Sequence, residues 1–247
     1  MLRNPTLAEI AEITGGELLC GDAEAICLAV STDTRTIQKG SLYVPLKGER
    51  FDGHDFANSA YNSGALAMLV ERELSTELPQ IKVNDTLRAL ADIAAWHRDQ
   101  FTGYVVAVTG SAGKTTVKQL MGSVLNQRYK TLITQGNLNN HIGAPLTLLS
   151  LQPEHEAAMI ELGASGVGEI AYTANLTRPD VGILTNVVPA HLEGFGSVDN
   201  IALTKGELID SVAPSGAMIL NADDRYFSQW HCLLYTSDAA DDLTRVD

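Results

Sequence analysis

Cysteine and positive charge are both scarce in this sequence. Its three cysteines, Cys20, Cys27 and Cys232, form no CxxC pair and leave an odd count, which favours a reducing compartment over a disulfide framework. Lysine and arginine together number 17 against 30 aspartates and glutamates, for a formal net charge of -13. Such a charge repels the backbone of a nucleic acid and an anionic membrane surface. We therefore expect a cytoplasmic protein that does not bind nucleic acid.

Long apolar runs are missing as well. Residues 1–16 lack the apolar core of a signal peptide, and no later segment is apolar for long enough to cross a bilayer. The chain has 247 residues, of which 45% are hydrophobic, and this suffices for one large or two moderate packed domains. We expect no membrane insertion, and we expect a monomer.

The order of strand and helix patterns divides the chain into three parts. Residues 1–83 alternate short apolar strands with short helices, which predicts a small α/β domain. Residues 84–230 open with a long helical pattern, and from Tyr104 onward apolar strands alternate with helices. This pattern predicts a P-loop-type, doubly wound, mostly parallel sheet, which we expect to be incomplete. Residues 231–247 show neither periodicity nor a helix cap, and we expect a disordered tail.

The strongest local signal is VVAVTGSAGKTTVK, residues 105–118, in which a strand runs into a turn of small residues and then into a helix. Gly110 and Gly113 let the backbone wrap around phosphate oxygens, Lys114 adds positive charge, and the Thr115 hydroxyl is a ligand for magnesium. The match to GxxxxGK[ST] is incomplete, because Val108 occupies the position of the first glycine. The alternative is an ordinary glycine-rich turn with a surface lysine. The residues expected to bind the nucleotide are Gly110, Ser111, Ala112, Gly113, Lys114, Thr115 and Thr116.

Glu161 ends the apolar strand AAMIEL and should lie beside the phosphate loop at the carboxyl edge of the sheet. Magnesium that accompanies bound phosphates takes hard oxygen ligands such as carboxylates. We therefore expect Glu161 to hold magnesium. The alternative is a solvated loop glutamate.

The segment TGSAGKTT resembles the ATP loop of the Mur ligase family. Further segments occur in the order and spacing of the branch that adds D-alanyl-D-alanine, and two upstream segments resemble the UDP-sugar domain of that branch. The segments are GNLNNHIGAPLTLL (136–149), ELGASGVGEI (161–170), HLEGFGS (191–197), STDTR (31–35) and VPLKGERFDGHDF (44–56).

This resemblance implies an ATP-dependent ligase of peptidoglycan precursor synthesis, with ATP and Mg²⁺ as cofactors. The γ-phosphoryl group would pass to the terminal carboxylate of UDP-N-acetylmuramoyl tripeptide, and the amine of D-alanyl-D-alanine would attack the acyl phosphate. The alternatives are the ligase that adds the third residue, a folylpolyglutamate synthetase, and a nucleotide-binding module that performs no ligation. Family members carry a further C-terminal domain, so we expect the chain alone to bind nucleotide weakly and not to ligate.

The resemblance also implies a second metal site. His191 matches the histidine that binds a second magnesium ion, and Lys205 matches the lysine that reacts with carbon dioxide to give a metal-binding carbamate. Without the resemblance, the two would be interpreted as a hydrogen-bonded loop histidine and an exposed helix lysine. The expected catalytic residues are Lys114, His191 and Lys205, and the expected metal ligands are Thr115, Glu161, His191 and Lys205.

Residues of both predicted domains are expected to bind the substrate. In the first domain, Arg35, Lys47 and Arg50 supply positive charge for a pyrophosphate in an otherwise acidic chain. Asp33 and Asp52 could accept hydrogen bonds from uracil or ribose, although both also suit ordinary turns. The resemblance adds His54 and a polar clamp between the nucleotide and the acceptor carboxylate. The clamp consists of Asn137, Asn139 and Asn140.

Overall fold

The structure, a computed structural model, describes residues 1–190 and 192–242, with side chains described as far as residue 234. The chain forms two compact units. The first comprises Met1–Phe101 with Leu148–Pro153, and the second comprises Thr102–Thr147 with Glu154–Asp247. Each unit contains a five-stranded sheet with helices, which confirms the predicted α/β class.

The first unit contains a mixed sheet in the order β1-β5-β4-β3-β2. Strand β1 runs antiparallel to β5, and all other neighbours are parallel. Its elements are α1 (Leu7–Thr14), β1 (Glu17–Cys20), β2 (Ala29–Ser31), β3 (Ser41–Tyr43), α2 (Ala57–Asn62), β4 (Ala67–Val70), β5 (Gln80–Lys82) and α3 (Thr86–Asp99).

Helix α3 groups with the first unit, whereas the sequence-based division placed it in the second domain from residue 84. The side chain of Asp85 caps the helix by accepting from the amides of Leu87 and Arg88. Its apolar face, which includes the fully buried Leu90 and Ile93, is covered within this unit, where α3 packs against α1. A helix belongs to the unit against which it buries its apolar face, and periodicity alone does not reveal that partner.

The second unit contains a wholly parallel sheet in the order β10-β9-β6-β8-β7. Its elements are β6 (Tyr104–Thr109), α4 (Lys114–Leu125), β7 (Thr131–Ile133), α5 (Gly143–Leu149), β8 (Ala157–Glu161), α6 (Glu169–Thr177), β9 (Val181–Leu184), α7 (Leu192–Phe195), α8 (Val198–Gly206), β10 (Ala217–Leu220) and α9 (Phe227–Asp242).

The central strands of this sheet explain its apolar sequence pattern. Every residue of β8 is buried, as are all residues of β6 after Tyr104, because helices cover both faces of a doubly wound sheet. The connection through α4 leads from β6 to one side of the sheet, and β9 and β10 are added on the other side. Right-handed crossovers then place the connecting helices on opposite faces. The predicted doubly wound, parallel architecture is confirmed.

The disordered tail expected from residue 231 is corrected by the structure, because α9 continues through Asp242. Leu233 and Leu234 pack against the cluster around Trp230, so the early part of the expected tail has apolar contacts that stabilise a helix. Residues 243–247 lie outside the described residues. Over the described part of the chain, we find no helix with the length and apolar character needed to cross a bilayer.

Trp230 fixes α9 to the second unit. Its side chain is fully buried, and its indole nitrogen donates to the Ala202 carbonyl oxygen at 3.1 Å. We predict that Trp230→Ala lowers the free energy of unfolding by about 3–5 kcal/mol, because the change creates a cavity and orphans a buried carbonyl. Urea unfolding would measure this loss. The exposed Gln229→Ala on the same helix is the control, and an equal loss in both variants would contradict the prediction.

Candidate active site

The phosphate loop lies between the end of β6 at Thr109 and the start of α4 at Lys114. Gly110 and Gly113 both have positive φ angles, +141° and +81°, which L side chains rarely adopt. A Cβ atom at Gly110 would also collide with the Thr185 hydroxyl. The backbone of this turn therefore requires glycine at Gly110 for two independent reasons.

Residues that follow β9 hold the loop from the side. The amide of Ser111 donates to the Asn186 carbonyl oxygen at 2.9 Å, and the amide of Ala112 donates to Asn186 Oδ1 at 3.0 Å. The Thr185 hydroxyl donates to the Ala112 carbonyl oxygen at 2.7 Å. The amides that remain for an anion are those of the first turn of α4, which have no partner within the helix. Sequence analysis missed Thr185 and Asn186, although both directly follow a strand adjacent to β6.

Lys114 folds back over the loop, where its Nζ donates to the Gly110 carbonyl oxygen at 2.8 Å. Burial lowers the pKa of Lys114, and the carboxylate of Glu161 opposes that shift. Ala112, Gly113, Thr115 and Thr116 are exposed along the outer side of the loop and the first turn of α4. The loop thus presents a partly desolvated lysine and the positive end of a helix dipole to one small volume.

Glu161 is almost fully buried at the carboxyl end of β8. Its Oε1 accepts from Asn139 Nδ2 at 2.8 Å, and its Oε2 lies 3.1 Å from Lys118 Nζ and 3.2 Å from the Thr115 hydroxyl. Its own amide donates to the Thr134 hydroxyl at 3.0 Å. The carboxylate therefore joins the phosphate-loop helix to the asparagine-rich segment, residues 136–140, and the backbone amide of Glu161 adds a contact to the end of the neighbouring strand. This position disagrees with the alternative of a solvated loop glutamate.

The oxygen donors of Glu161 and Thr115 are of the kind that Mg²⁺ prefers. Within the described residues, no three histidine, cysteine, aspartate or glutamate side chains converge as a preformed metal cage. The donors present suit an ion that keeps several waters and shares phosphate oxygens, which is how Mg²⁺ is usually bound. His191, the other expected ligand, lies outside the described residues.

The asparagines of the asparagine-rich segment have different contacts. Asn139 donates to Glu161, and its carbonyl oxygen accepts from the Gly163 amide at 2.7 Å. Asn140 Oδ1 accepts from the amides of Ile142 and Gly143, so this side chain caps the start of α5. Asn140 thus has a structural role beside any contact with a ligand.

A pocket of about 260 Å³ opens at this edge of the second unit. It brings together the phosphate loop, the asparagine-rich segment, the turn after β8 and helix α8. Its lining residues are Gly110, Ser111, Lys114, Asn137, Asn139, Asn140, Gly163, Ala164, Ser165, Ala190, Phe195, Ile201 and Lys205.

Lys205 is buried on α8 with 2% of its surface exposed, and it lines the same pocket as Lys114. Its Nζ lies 5.4 Å from the centre of the Phe195 ring. Burial lowers the pKa of Lys205 to about 8, and repulsion from Lys114 adds to this shift. The alternative interpretation, that Lys205 is an exposed helix lysine, is therefore wrong.

Glu207 fixes α8 to the start of α6. Its two carboxylate oxygens accept from the amides of Gly168 and Ala171, at 3.0 and 2.8 Å. These amides belong to the uncapped first turn of α6, so Glu207 substitutes for an N-cap side chain. Sequence analysis missed this residue, because a cap donated from a distant helix leaves no local pattern.

In the first unit, polar residues follow three adjacent parallel strands, β2, β3 and β4. Asp33 and Arg35 follow β2 and form an ion pair at 2.6 Å, and the hydrogen bond from Arg35 lowers the pKa of Asp33 to about 2. Tyr43, at the end of β3, has a pKa raised to about 12 by burial, with further contributions from Asp33 and Asp52. The segments STDTR and VPLKGERFDGHDF therefore meet at one edge of the first sheet.

The second of these segments is held by ion pairs. Lys47 pairs with Glu71, which follows β4. Asp52 Oδ1 lies 2.6 Å from Nδ1 of the buried His54, and its Oδ2 lies 3.6 Å from a guanidinium nitrogen of Arg72. Arg50 is exposed. Glu71 and Arg72 were missed by the sequence analysis, although both directly follow a buried strand at the same edge.

Family models match both parts of the chain. The Mur ligase middle domain matches residues 108–239, and the catalytic domain of the Mur ligase family matches residues 29–98. The chain belongs to the Mur ligase family.

Several Mur ligases of known name and structure are similar to this chain. The UDP-N-acetylmuramoyl-tripeptide–D-alanyl-D-alanine ligase of Escherichia coli is 48% identical over 93% of the chain, and that of Haemophilus influenzae is 41% identical over 90%. A crystal structure of MurF from Acinetobacter baumannii superposes with a TM-score of 0.90 at 36% identity over 95% of the chain. MurF from Thermotoga maritima in complex with ADP gives 0.77 at 33% identity over 84%.

The chain spans about half the length of these Mur ligases. It covers 50% of the Escherichia coli and Haemophilus influenzae enzymes. It covers 52% and 48% of the Acinetobacter baumannii and Thermotoga maritima chains.

The burial of Lys205 predicts a pH-dependent change in stability. The charged form is disfavoured in the folded state, so the cost is full below the folded pKa of about 8 and vanishes above the ordinary value of 10.5. Lys205→Met removes this cost. We expect the variant to gain stability relative to the wild type between pH 10.5 and about pH 7, by roughly 2–3 kcal/mol.

Denaturant unfolding of both proteins at the two pH values would measure this difference, and titrating groups that do not interact with Lys205 cancel in the comparison. The matched control is Lys130→Met, which changes an exposed lysine. A difference between Lys205→Met and the wild type that does not vary with pH would show that Lys205 titrates normally.

Proposed function

We propose that this chain forms the nucleotide-binding and UDP-sugar-binding parts of a ligase that adds D-alanyl-D-alanine to UDP-N-acetylmuramoyl tripeptide. The observation that carries the proposal is the pocket of the second unit, where the phosphate loop and the buried Lys205 lie at one sheet edge. The relatives with 39–48% identity support it, since they carry the name of this ligase.

ATP would bind with its phosphates at the first turn of α4. The free amides of that turn, the helix dipole and Lys114 supply positive charge at one point. The solved structure of Thermotoga maritima MurF in complex with ADP supports nucleotide binding by this chain. Lys114 and the loop would hold the γ-phosphoryl group in line with the incoming carboxylate, so that most of the catalysis is positioning and charge stabilisation.

Thr115 and Glu161 would hold the magnesium ion. The ion, when bound, neutralises charge on the phosphate oxygens. Asn139 keeps the carboxylate of Glu161 aimed at this position by donating to its other oxygen. Together with Asn137, which also lines the pocket, Asn139 would separate the nucleotide from the acceptor carboxylate, while Asn140 holds the segment in shape.

Lys205 would be carbamylated. A pKa of about 8 leaves a fraction of the amine neutral near neutral pH. The neutral nitrogen attacks the carbon of carbon dioxide and loses a proton, which gives a carbamate with one negative charge. This anion, together with His191, would provide ligands for a second magnesium ion.

The first unit would bind the UDP-sugar at the carboxyl ends of β2, β3 and β4. Arg35, Lys47 and Arg50 would contact the pyrophosphate, while Asp33 and Asp52 would accept hydrogen bonds from uracil or ribose. The buried His54 would act on the substrate through its contact with Asp52. Arg35 and Lys47 each have a carboxylate partner in the structure, so phosphate oxygens would compete with Asp33 and Glu71 for these cations. A monomeric state and a cytoplasmic location stay predictions.

The role of the phosphate loop can be tested with a substitution of Lys114. Lys114→Met should weaken the binding of ADP with Mg²⁺ by about 10- to 100-fold, because a charge-assisted hydrogen bond to phosphate is lost. Isothermal titration calorimetry on this chain would measure it. Lys130→Met, which removes an exposed lysine of the same unit, should bind ADP like the wild type. Unchanged affinity in Lys114→Met would place the nucleotide elsewhere.

The identity of the substrate can be tested by direct binding. UDP-N-acetylmuramoyl tripeptide should bind the chain, and Arg35→Ala and Lys47→Ala should each weaken it about tenfold. The exposed Lys39→Ala is the control. Tighter binding of the corresponding dipeptide would favour the ligase that adds the third residue, and binding of ADP without either UDP-sugar would favour a nucleotide-binding module.

A further inference from the structure

Lys118 has no role in the function proposed above, yet it is one of the most deeply buried residues of the second unit. Only 1% of its side chain is exposed, and it lies one turn after Lys114 on α4. Among the described residues, Lys118 and Gly122 are the only buried positions of this helix. The apolar side chains of Val117, Met121 and Leu125 are only partly buried against the neighbouring cluster.

Burying a lysine against a hydrophobic sheet costs free energy, because its charge loses contact with water. A buried ion pair often contributes less to stability than an apolar pair of the same volume, so stability alone does not explain it. Its location gives a better explanation. Lys118 Nζ lies 3.1 Å from Glu161 Oε2 and donates to the Gly136 carbonyl oxygen at 3.2 Å.

These two contacts make Lys118 the counter-ion of Glu161. A carboxylate has about four lone-pair positions. In Glu161, Asn139 occupies one on Oε1, and Lys118 and Thr115 approach Oε2. Room therefore remains for a metal ion while Lys118 stays in place. The net charge of the Lys118–Glu161 pair is zero, so by itself the pair has little attraction for a divalent cation.

We propose that Lys118 is a positioning residue that holds Glu161 in place and suppresses the binding of divalent cations until nucleotide phosphates supply negative charge. This inference rests on the proposed magnesium–nucleotide site. Lys118 contacts Glu161, and Lys114 is near enough to interact with it electrostatically, so a metal ion without nucleotide meets excess positive charge. With nucleotide present, the phosphates reverse that balance. The metal and the nucleotide then bind as one complex.

The experiment measures Mn²⁺ binding to the 247-residue chain by electron paramagnetic resonance, without nucleotide and with ADP. Mn²⁺ suits the same oxygen ligands as Mg²⁺. We expect weak binding of Mn²⁺ alone by the wild type, and at least about tenfold tighter binding by Lys118→Met, which leaves Glu161 without its counter-ion. Lys118→Arg keeps the charge and should behave like the wild type. Lys130→Met controls for the loss of one cation from the unit as a whole.

A double variant locates any new metal site. The double variant Lys118→Met with Glu161→Gln has no carboxylate at position 161, so the gain in Mn²⁺ binding should disappear. If Lys118→Met does not fold in the absence of divalent cations, Mn²⁺ alone should restore its circular dichroism spectrum, and failure to restore it would overturn the inference.

The outcomes separate the inference from the function on which it rests. If the wild type binds Mn²⁺ with ADP but Lys118→Met binds Mn²⁺ alone no better than the wild type, the role of Lys118 is wrong and the proposed function stands. If the wild type fails to bind Mn²⁺ even with ADP, the proposed function fails and the inference fails with it.

Discussion

The hydrogen-bonded carboxylate of Glu161 is the contact on which the site of the second unit depends. A carboxylate buried at the end of a central strand must have partners, because desolvating an unpaired charge is costly. The partners of Glu161 are Thr115 and Lys118 on α4 and Asn139 in the asparagine-rich segment. The phosphate loop and the asparagine-rich segment are therefore held in register with each other before any ligand arrives.

Parallel strands that end side by side explain why both candidate binding edges combine residues from distant parts of the chain. In the second unit, β6, β8 and β9 end side by side, so Gly110, Glu161 and Asn186 become neighbours although they are far apart in sequence. In the first unit, the parallel strands β2, β3 and β4 bring Arg35, Lys47 and Glu71 to one edge of the sheet. The ends of parallel strands are where such folds bind ligands, because loops leave the sheet there without disturbing its core.

Because parallel strands place the loops that follow them at one sheet edge, part of the candidate site could be predicted from the sequence. Strand–turn–helix patterning with two glycines and a lysine was enough to predict the strand–loop–helix geometry around Lys114, and a glutamate at a strand end was enough to predict that Glu161 lies beside that loop. Periodicity could not show that α3 packs on α1 or that α9 continues past Trp230, because it does not reveal what an apolar face will be buried against. Lys118 and Glu207 were missed for a related reason. Both lie on or beside helices as ordinary charged residues, and only tertiary contacts reveal their partners.

The two buried lysines of the second unit show how the same side chain supports opposite chemistry. Lys118 has a carboxylate at 3.1 Å, so it is suited to act as a fixed positive charge. Among the described residues, Lys205 forms no ion pair, and its Nζ lies 5.4 Å from the centre of the Phe195 ring. Burial with no carboxylate in contact disfavours the ammonium form, which is why its pKa falls to about 8. Whether a buried lysine stays a charged counter-ion or becomes partly neutral thus depends on whether a carboxylate lies against it.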